Sequence, residues 1–284
     1  MLETLLLQTL NGFVWGSVLA LIALGLTLIY GLLMVVNVSH GIFYTFGAVL
    51  TWYWLSAGQN FWLGIIVLPM AVGVIGAVSY LGVVRPIENN WTNTIIVTIG
   101  LLTIFQHLVL MTFGGSSRSV ESPFPDVIRV FGFGYPIYRI VVAAVTWLLV
   151  AVLFLLLYWS RWGVWVRAIK HDWQIAAALG IPVPAVRRTM FFVGSMLAGL
   201  GGVLAAPMTA VDFRMGDMIL MDAFIVVIVG GLGSFEGTVL AAVAFKVFEG
   251  AAATYVTPVI AKVVALLGMI GFIYLRPEGI LGER

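Results

Sequence analysis

The sequence predicts an all-α polytopic integral membrane protein, and three observations support that fold class. Of 284 residues, 62% are hydrophobic and 9% are charged, whereas soluble domains are about 45–50% apolar and about 25% charged. Mean hydropathy is +1.12. Apolar runs such as 141–158 and 259–275 are continuous, and they lack the alternation of membrane barrel strands. Each run is long enough to cross the apolar layer of a bilayer.

Charged or Gly-, Pro- and Asn-rich interruptions divide the chain into a predicted bundle of about eight or nine transmembrane helices, in one domain covering residues 1–284. The segment 218–233 is short and ends in glycines, so it is predicted to be either a span or a re-entrant helix. The longest connections are a loop at 114–138 and a basic loop at about 160–188. The predicted spans are 8–34, 40–57, 61–83, 93–113, 139–159, 189–208, 218–233, 235–254 and 257–275.

Arginine and lysine predict the orientation in the membrane. One set of connections holds Arg85, Arg161, Arg167, Lys170, Arg187, Arg188, Arg276 and Arg284, and the other holds Arg118, Arg129, Arg139 and Arg214. The excess of basic residues lies on the cytoplasmic side of membrane proteins. The basic loop and the carboxyl terminus are therefore predicted to be cytoplasmic, and the loop 114–138 is predicted to lie outside.

The basic loop, "RWGVWVRAIKHDWQIAAALGIPVPAVRR" (161–188), contains a predicted short amphipathic helix. Asp172 can cap its start, Gly180 can end it, and Ile175, Ala178 and Leu179 share one face. The residues leave two roles open. The helix could lie on anionic lipid, or its compact apolar face could dock into a partner protein.

The stretch "NVSHGIFYTFG" interrupts an apolar run with Asn37, Ser39 and His40, followed by Gly41. A discontinuous helix here would present amide donors to a substrate carboxylate, which makes these four residues candidates for a translocation pathway. The alternative is a simple turn whose polar side chains cap helix ends.

A glycine-rich stretch, "VGGLGSFEG" (229–237), supplies three more pathway candidates, Gly233, Ser234 and Gly237. Its glycines permit sharp turns and close helix approach. A Walker phosphate loop requires Gly-Lys-Ser/Thr, which occurs nowhere in the chain. Cysteine is also absent, which excludes a thiolate metal site. No cofactor, metal or catalytic residue is therefore predicted in this chain.

Two pairs of polar residues lie inside predicted spans. Lys246 and Glu249 are three residues apart on one helical face, so they are expected to form an ion pair. Gln106 and His107 are expected to be buried and to form hydrogen bonds between helices.

Five segments resemble signature segments of the permeases of branched-chain amino-acid ABC importers, and they occur in that family's order from the first span to the last residues. They are "GLTLIYGLLMVVNVSHGIFYTFGAVL" (25–50), "RAIKHDWQIAAALGI" (167–181), "LAGLGGVLAAP" (197–207), "VGGLGSFEGTVLAA" (229–242) and "LRPEGILG" (275–282).

The resemblance implies that the short helix of the basic loop is a coupling helix, which sits in a cleft of the ATP-hydrolysing subunit. It assigns contacts with the ATPase to Asp172, Gln174, Ala176, Ala177 and Gly180. The alanines and Gly180 match the family pattern. Gln174 departs from it, because an acidic residue often occupies that region.

The resemblance also implies partners: a homologous second permease, two cytoplasmic ATPases that hold ATP and Mg, and an exported substrate-binding protein. The chain would lie in the lipid bilayer of a bacterial-type inner membrane, and no nucleic-acid partner is expected. Two alternatives stay open: a related importer for urea, short amides or small carboxylates, and an autonomous secondary carrier or channel.

Overall fold

The computed structural model describes residues 1–33, 37–88, 90–130 and 132–281. Position 34 of the first predicted span and Arg284 lie outside these ranges. Within them, six helices are long and apolar enough to cross a membrane, and the chain is a multi-pass helical membrane protein. The six are Leu2–Gly31, Phe61–Ile87, Trp91–Phe113, Ile137–Trp159, Val183–Met208 and Pro258–Leu275.

The described helices follow one another with short connections, except between α4 and α5, where the loop 114–138 lies. Helix α3 continues into π-helical Tyr80–Val84 and a 3₁₀ turn, Arg85–Ile87, and α8 continues into the 3₁₀ turn Ala206–Met208. The α-helices are α1 (Leu2–Leu33), α2 (His40–Ser56), α3 (Phe61–Ser79), α4 (Trp91–Phe113), α5 (Ile137–Trp159), α6 (Arg161–His171), α7 (Trp173–Ala178), α8 (Val183–Ala205), α9 (Met215–Gly230), α10 (Phe235–Ala252) and α11 (Pro258–Leu275).

Three predicted spans, 40–57, 218–233 and 235–254, correspond to α2, α9 and α10. These helices are shorter or more charged than the six candidate membrane-spanning helices. Helix α2 has 17 residues and α9 has 16. Helix α10 has 18 residues, among them Glu236, Lys246 and Glu249. The count of eight or nine spans therefore stays a prediction. Helix α9 is continuous as far as Gly230, with no break inside it.

The loop 114–138 contains strands that the all-α prediction omits. Strands β1 (Val127–Val130) and β2 (Phe133–Pro136) pair antiparallel, with Val127 opposite Pro136. Gly132 has φ +88° in the connecting turn, a conformation that glycine adopts without a steric penalty. Earlier in the loop, Arg118 and Val211 exchange backbone hydrogen bonds of 2.9 and 2.8 Å. Backbone pairing thus orders a segment whose composition predicts only a surface loop.

Helix α1 forms the centre of the bundle. From Val18 to Leu24 no side chain is more than 1% exposed. Helices α8, α9 and α10 pack around it, and α2 packs against α8. A Cβ on Gly202 of α8 would overlap the carbonyl oxygen of Tyr44 of α2, so this contact requires glycine.

The described members of the two sets of basic residues lie at opposite ends of the bundle. Arg187 lies beside Trp173 of α7, Arg85 lies near Tyr80 after α3, and α6 carries Lys170 beside the glycine-rich loop. At the other end, Arg139 follows the hairpin directly and Arg118 pairs with Val211. We call these the α7 end and the hairpin end.

Candidate functional site

The predicted short helix of the basic loop exists as α7. The Asp172 Oδ1 atom accepts hydrogen bonds from the backbone N–H groups of Gln174 (2.8 Å) and Ile175 (3.0 Å), which would otherwise lack partners. Gly180 has φ +84° and donates its N–H to the Ala177 carbonyl at 3.0 Å. The cap and the left-handed glycine fix both ends of α7.

Most of α7 faces away from the bundle. Ile175 is 59% exposed and Leu179, just after the helix, is 76% exposed. Gln174 and Ala177 are exposed as well. Ala176 is the exception among the predicted contact residues, because it is only 2% exposed and packs into the core. Ala176 therefore anchors α7 to the bundle. The exposed surface predicted to contact a partner is formed instead by Gln174, Ile175, Ala177 and Leu179.

An ion pair that sequence inspection missed holds α7 against the bundle. The Arg187 guanidinium lies 5.4 Å from the ring of Trp173 and 2.8 Å from Glu88 Oε1. Tyr80 donates its hydroxyl to Glu88 Oε2 at 2.8 Å. This chain of contacts connects the first residue of α7 to the ends of α3 and α8. Its partners are 99 residues apart in sequence, so no local pattern indicates them.

The predicted pathway residues around the start of α2 are buried in a closed turn. Asn37 Oδ1 accepts from the Ser39 N–H (3.1 Å) and hydroxyl (2.6 Å), and His40 Nε2 lies 3.0 Å from the Ile22 carbonyl oxygen. Gly41 contacts the backbone of Gly216 in α9. All four predicted residues are inaccessible to solvent here.

The glycine-rich loop between α9 and α10 forms a second cluster. Gly233 has φ +82°, and Ser234 Oγ accepts the Gly237 N–H at 3.1 Å. The segment after α11 pairs with the end of α9, because the Ile280 N–H donates to the Val229 carbonyl at 2.8 Å. Gly41 packs against Gly216 at the start of α9, whereas this loop follows the other end of α9, so the seven predicted pathway residues form two separate groups.

A cavity of about 530 Å³ joins the glycine-rich loop to the basic loop. Arg167 bonds the Leu157 carbonyl and lies 5.5 Å from the Tyr158 ring, whose hydroxyl bonds Glu236. We call this cavity the α6 pocket; its polar lining is Arg167, Lys170, His171, Gly233, Ser234 and Glu236. Two sequence features that were predicted separately thus share one cavity.

The expected Lys246 ion pair is present and is larger than predicted. Lys246 Nζ lies 2.7 Å from Glu249 Oε2 and 2.7 Å from Asp222 Oδ2. Lys262 Nζ lies 3.0 Å from Asp222 Oδ1. Helices α9, α10 and α11 are therefore joined by four alternating charges.

The predictions for the polar pair in α4 differ in outcome. Gln106 donates its side-chain N–H to Asp217 of α9, as expected for an interhelical bond. His107, by contrast, is exposed, and its Nδ1 lies 2.9 Å from the Thr103 carbonyl oxygen of its own helix. The prediction that His107 is buried is wrong, because α4 exposes that face.

Comparison with known proteins identifies the family. The family described as branched-chain amino acid transport system / permease component matches residues 8–273. The chain belongs to this family. The resemblance drawn from the five sequence segments is thereby confirmed, and the permease is a membrane component of a transport system.

Two curated branched-chain amino acid permeases match the permease over almost its whole length, and a sugar permease matches it over a smaller part. LivH of Escherichia coli (strain K12), a high-affinity branched-chain amino acid transport system permease protein, is 29% identical over 97% of this chain and 95% of its own. BraD of Pseudomonas aeruginosa, which has the same description, is 27% identical over 97% and 95%. AraH of Azospirillum brasilense, an L-arabinose ABC transporter permease protein, is 25% identical over 83% and 67%.

Proposed function

We propose that the permease is the transmembrane subunit of an ABC importer for branched-chain amino acids in a bacterial-type inner membrane. It would work with a second permease, two cytoplasmic ATPases that hold ATP and Mg, and an exported binding protein. The names of LivH and BraD support this substrate class, since both align with 97% of the chain.

The observation that carries the proposal is the bare apolar face of α7. A short helix capped by Asp172 and ended by Gly180 holds Ile175 and Leu179 in solvent at the more basic end of the bundle. Exposed apolar faces of this kind mark interaction sites. A helix docked in a cleft of an ATPase would cover this face, which supports a coupling role.

Side-chain contacts connect α7 to the helices of the bundle. Trp173 stacks on Arg187 of α8, which binds Glu88 beyond α3. Ala176 is packed in the core. A displacement of α7 by an ATPase would therefore shift the starts of α7 and α8 together. The Asn37 turn and Gly41 lie against α1 and α9, so their proposed pathway role requires these contacts to open.

Helix α4 offers a face for the second permease. Asn93, Gly100, Thr103 and His107 follow helical spacing and are all exposed. None of the exposed residues of α3, α5 and α11 is Asn, His, Ser or Thr. Polar side chains are unfavourable against lipid tails, whereas small and polar residues suit contacts between helices. We call this face the α4 stripe and assign it to the seam between permeases.

The coupling role predicts the effect of Ala177→Arg in the assembled importer in liposomes. A large cation on the docking face should lower substrate-stimulated ATP hydrolysis at least tenfold, while membrane insertion is retained. Ala177→Ser, which keeps a small side chain, should hydrolyse ATP at the original rate. Undiminished coupling in Ala177→Arg would remove the assignment of α7.

Transport assays decide the substrate and the class of transporter. Leucine uptake by the complete importer should be inhibited by isoleucine and valine, and unaffected by urea or L-arabinose. The permease reconstituted without ATPases should not take up leucine. Uptake by the permease alone would instead identify a secondary carrier.

A further inference from the structure

A polar cavity lies at the hairpin end, far from α7. Its volume is about 390 Å³, and it is an open pocket lined by residues of α1, α5 and α10 and by the start of α11. We call it the hairpin-end pocket; the lining residues that matter here are Gln8, Asn11, Trp15, Arg139, Lys246 and Glu249. Ionisable groups from two helices meet here in a chain with only 9% charged residues.

One wall of the pocket carries a cation without an acidic partner. Arg139, in the first turn of α5, donates a hydrogen bond to Asn11 Oδ1, and the Tyr135 hydroxyl donates to the same oxygen at 3.0 Å. Burial raises the pKa of Tyr135, although Arg139 opposes the shift, so the hydroxyl keeps its proton. In the described part of the chain, no carboxylate lies within 4.0 Å of the Arg139 guanidinium. A guanidinium has five N–H donors, which leaves Arg139 able to bind an anion.

The opposite charge is supplied by Glu249 of α10. Its Oε2 atom accepts from Lys246 at 2.7 Å, and Oε1 has no hydrogen bond within the described ranges. Lys246 also binds Asp222, which in turn binds Lys262. Asp222 and Lys262 do not line the pocket, so its charged lining consists of Arg139, Lys246 and Glu249.

This arrangement has the chemistry of a zwitterion site. An anionic group suits the free donors of Arg139, and an ammonium suits the free oxygen of Glu249. Trp15 adds an aromatic face for an apolar chain or a cation. The volume lies near the lower end of the range for small-molecule pockets, about 300–1,000 Å³.

We infer that the hairpin-end pocket binds a small zwitterion, with Arg139 holding its carboxylate or phosphate and Glu249 holding its ammonium. Two sources share this chemistry: a free amino acid and the headgroup of an ethanolamine phospholipid. Helices α5 and α11, which contribute Arg139 and Pro258 to the lining, also expose apolar side chains on their outer faces, the kind of surface that lipid covers. The amino-acid source rests on the proposed function, and the lipid source does not.

Binding to the purified full-length permease in nanodiscs tests the inference. The amino-acid arm measures radiolabelled leucine binding in discs of phosphatidylcholine and phosphatidylglycerol, with leucinamide and isovalerate as competitors that each lack one charge. The lipid arm measures retention of added phosphatidylethanolamine by native mass spectrometry. Arg139→Gln and Glu249→Gln should each weaken binding at least tenfold in whichever arm is positive. Arg129→Gln, an exposed site on β1, should have no effect.

The outcomes separate the two sources and the two proposals. Leucine binding that needs both charges supports a free amino acid, and selective retention of phosphatidylethanolamine supports the lipid headgroup. Binding in neither arm, or binding unaffected by both variants, overturns the inference. If Arg139→Gln does not fold, Arg139→Lys keeps the charge but loses the planar fork, and it should still weaken binding. The Ala177→Arg test depends on α7 alone and is independent of these results.

Discussion

Lys246 of α10 binds Asp222 of α9, with 2.7 Å between Nζ and Oδ2. The Asp222 side chain is only 3% exposed, and Lys262 of α11 reaches its other oxygen at 3.0 Å. Three helices thus meet at one buried carboxylate. Removing one partner from a buried ion pair leaves the remaining charge uncompensated.

Asp222→Asn should therefore destabilise the permease by about 3–5 kcal/mol. The free energy of unfolding can be measured by titrating the purified protein with SDS. The double variant Asp222→Asn/Lys246→Met should lose less stability than the two single variants together, because each single variant already removes the Lys246–Asp222 interaction. Asp126→Asn, at an exposed site before β1, serves as the control. A loss below about 0.5 kcal/mol, the level of ordinary surface substitutions, would contradict the role of Asp222.

The contact between α2 and α8 predicts opposite effects for two glycine substitutions. A Cβ on Gly202 would overlap the Tyr44 carbonyl oxygen and lie 2.9 Å from the Ala48 nitrogen. Gly202→Ala should therefore cost about 1–3 kcal/mol through overpacking. Gly268→Ala in α11, where a Cβ meets no heavy atom within 4 Å, should stabilise the helix by about 0.5–1 kcal/mol. Equal melting temperatures for the two variants would show that α2 and α8 can move apart to fit a Cβ on Gly202 without a loss of stability.

The α4 stripe predicts where the second permease lies. Because the chain has no cysteine, single cysteines can be introduced without a background. Thr103→Cys should crosslink to the second permease in the assembled importer, whereas Leu267→Cys, on the apolar outer face of α11, should not crosslink to it. Absence of a crosslink at Thr103→Cys, or equal crosslinking of the two variants, would remove the assignment of the α4 stripe.

The segment around α7 shows how much of the structure a short stretch of sequence can predict. The Asp172 cap and the Gly180 terminus were predictable because each acts on backbone groups within a few residues. The burial of Ala176 was not, since Ala176, Ala177 and Ala178 have the same side chain and only packing against the bundle selects which of them faces inward. The Arg187–Glu88 pair depends on the approach of α8 to the end of α3, which neither segment encodes by itself.

The sequence by itself determined the helical membrane class, the family and the local pair Lys246–Glu249, because these depend on composition, on residue patterns within short segments, and on neighbours one helical turn apart. Only the tertiary structure decided that Asp222 joins that pair, that His107 is exposed, and that the loop 114–138 forms a hairpin. The physical reason is that lipid is as apolar as a protein core. A membrane helix can be apolar all round, and its inward face is set by the neighbours that pack against it.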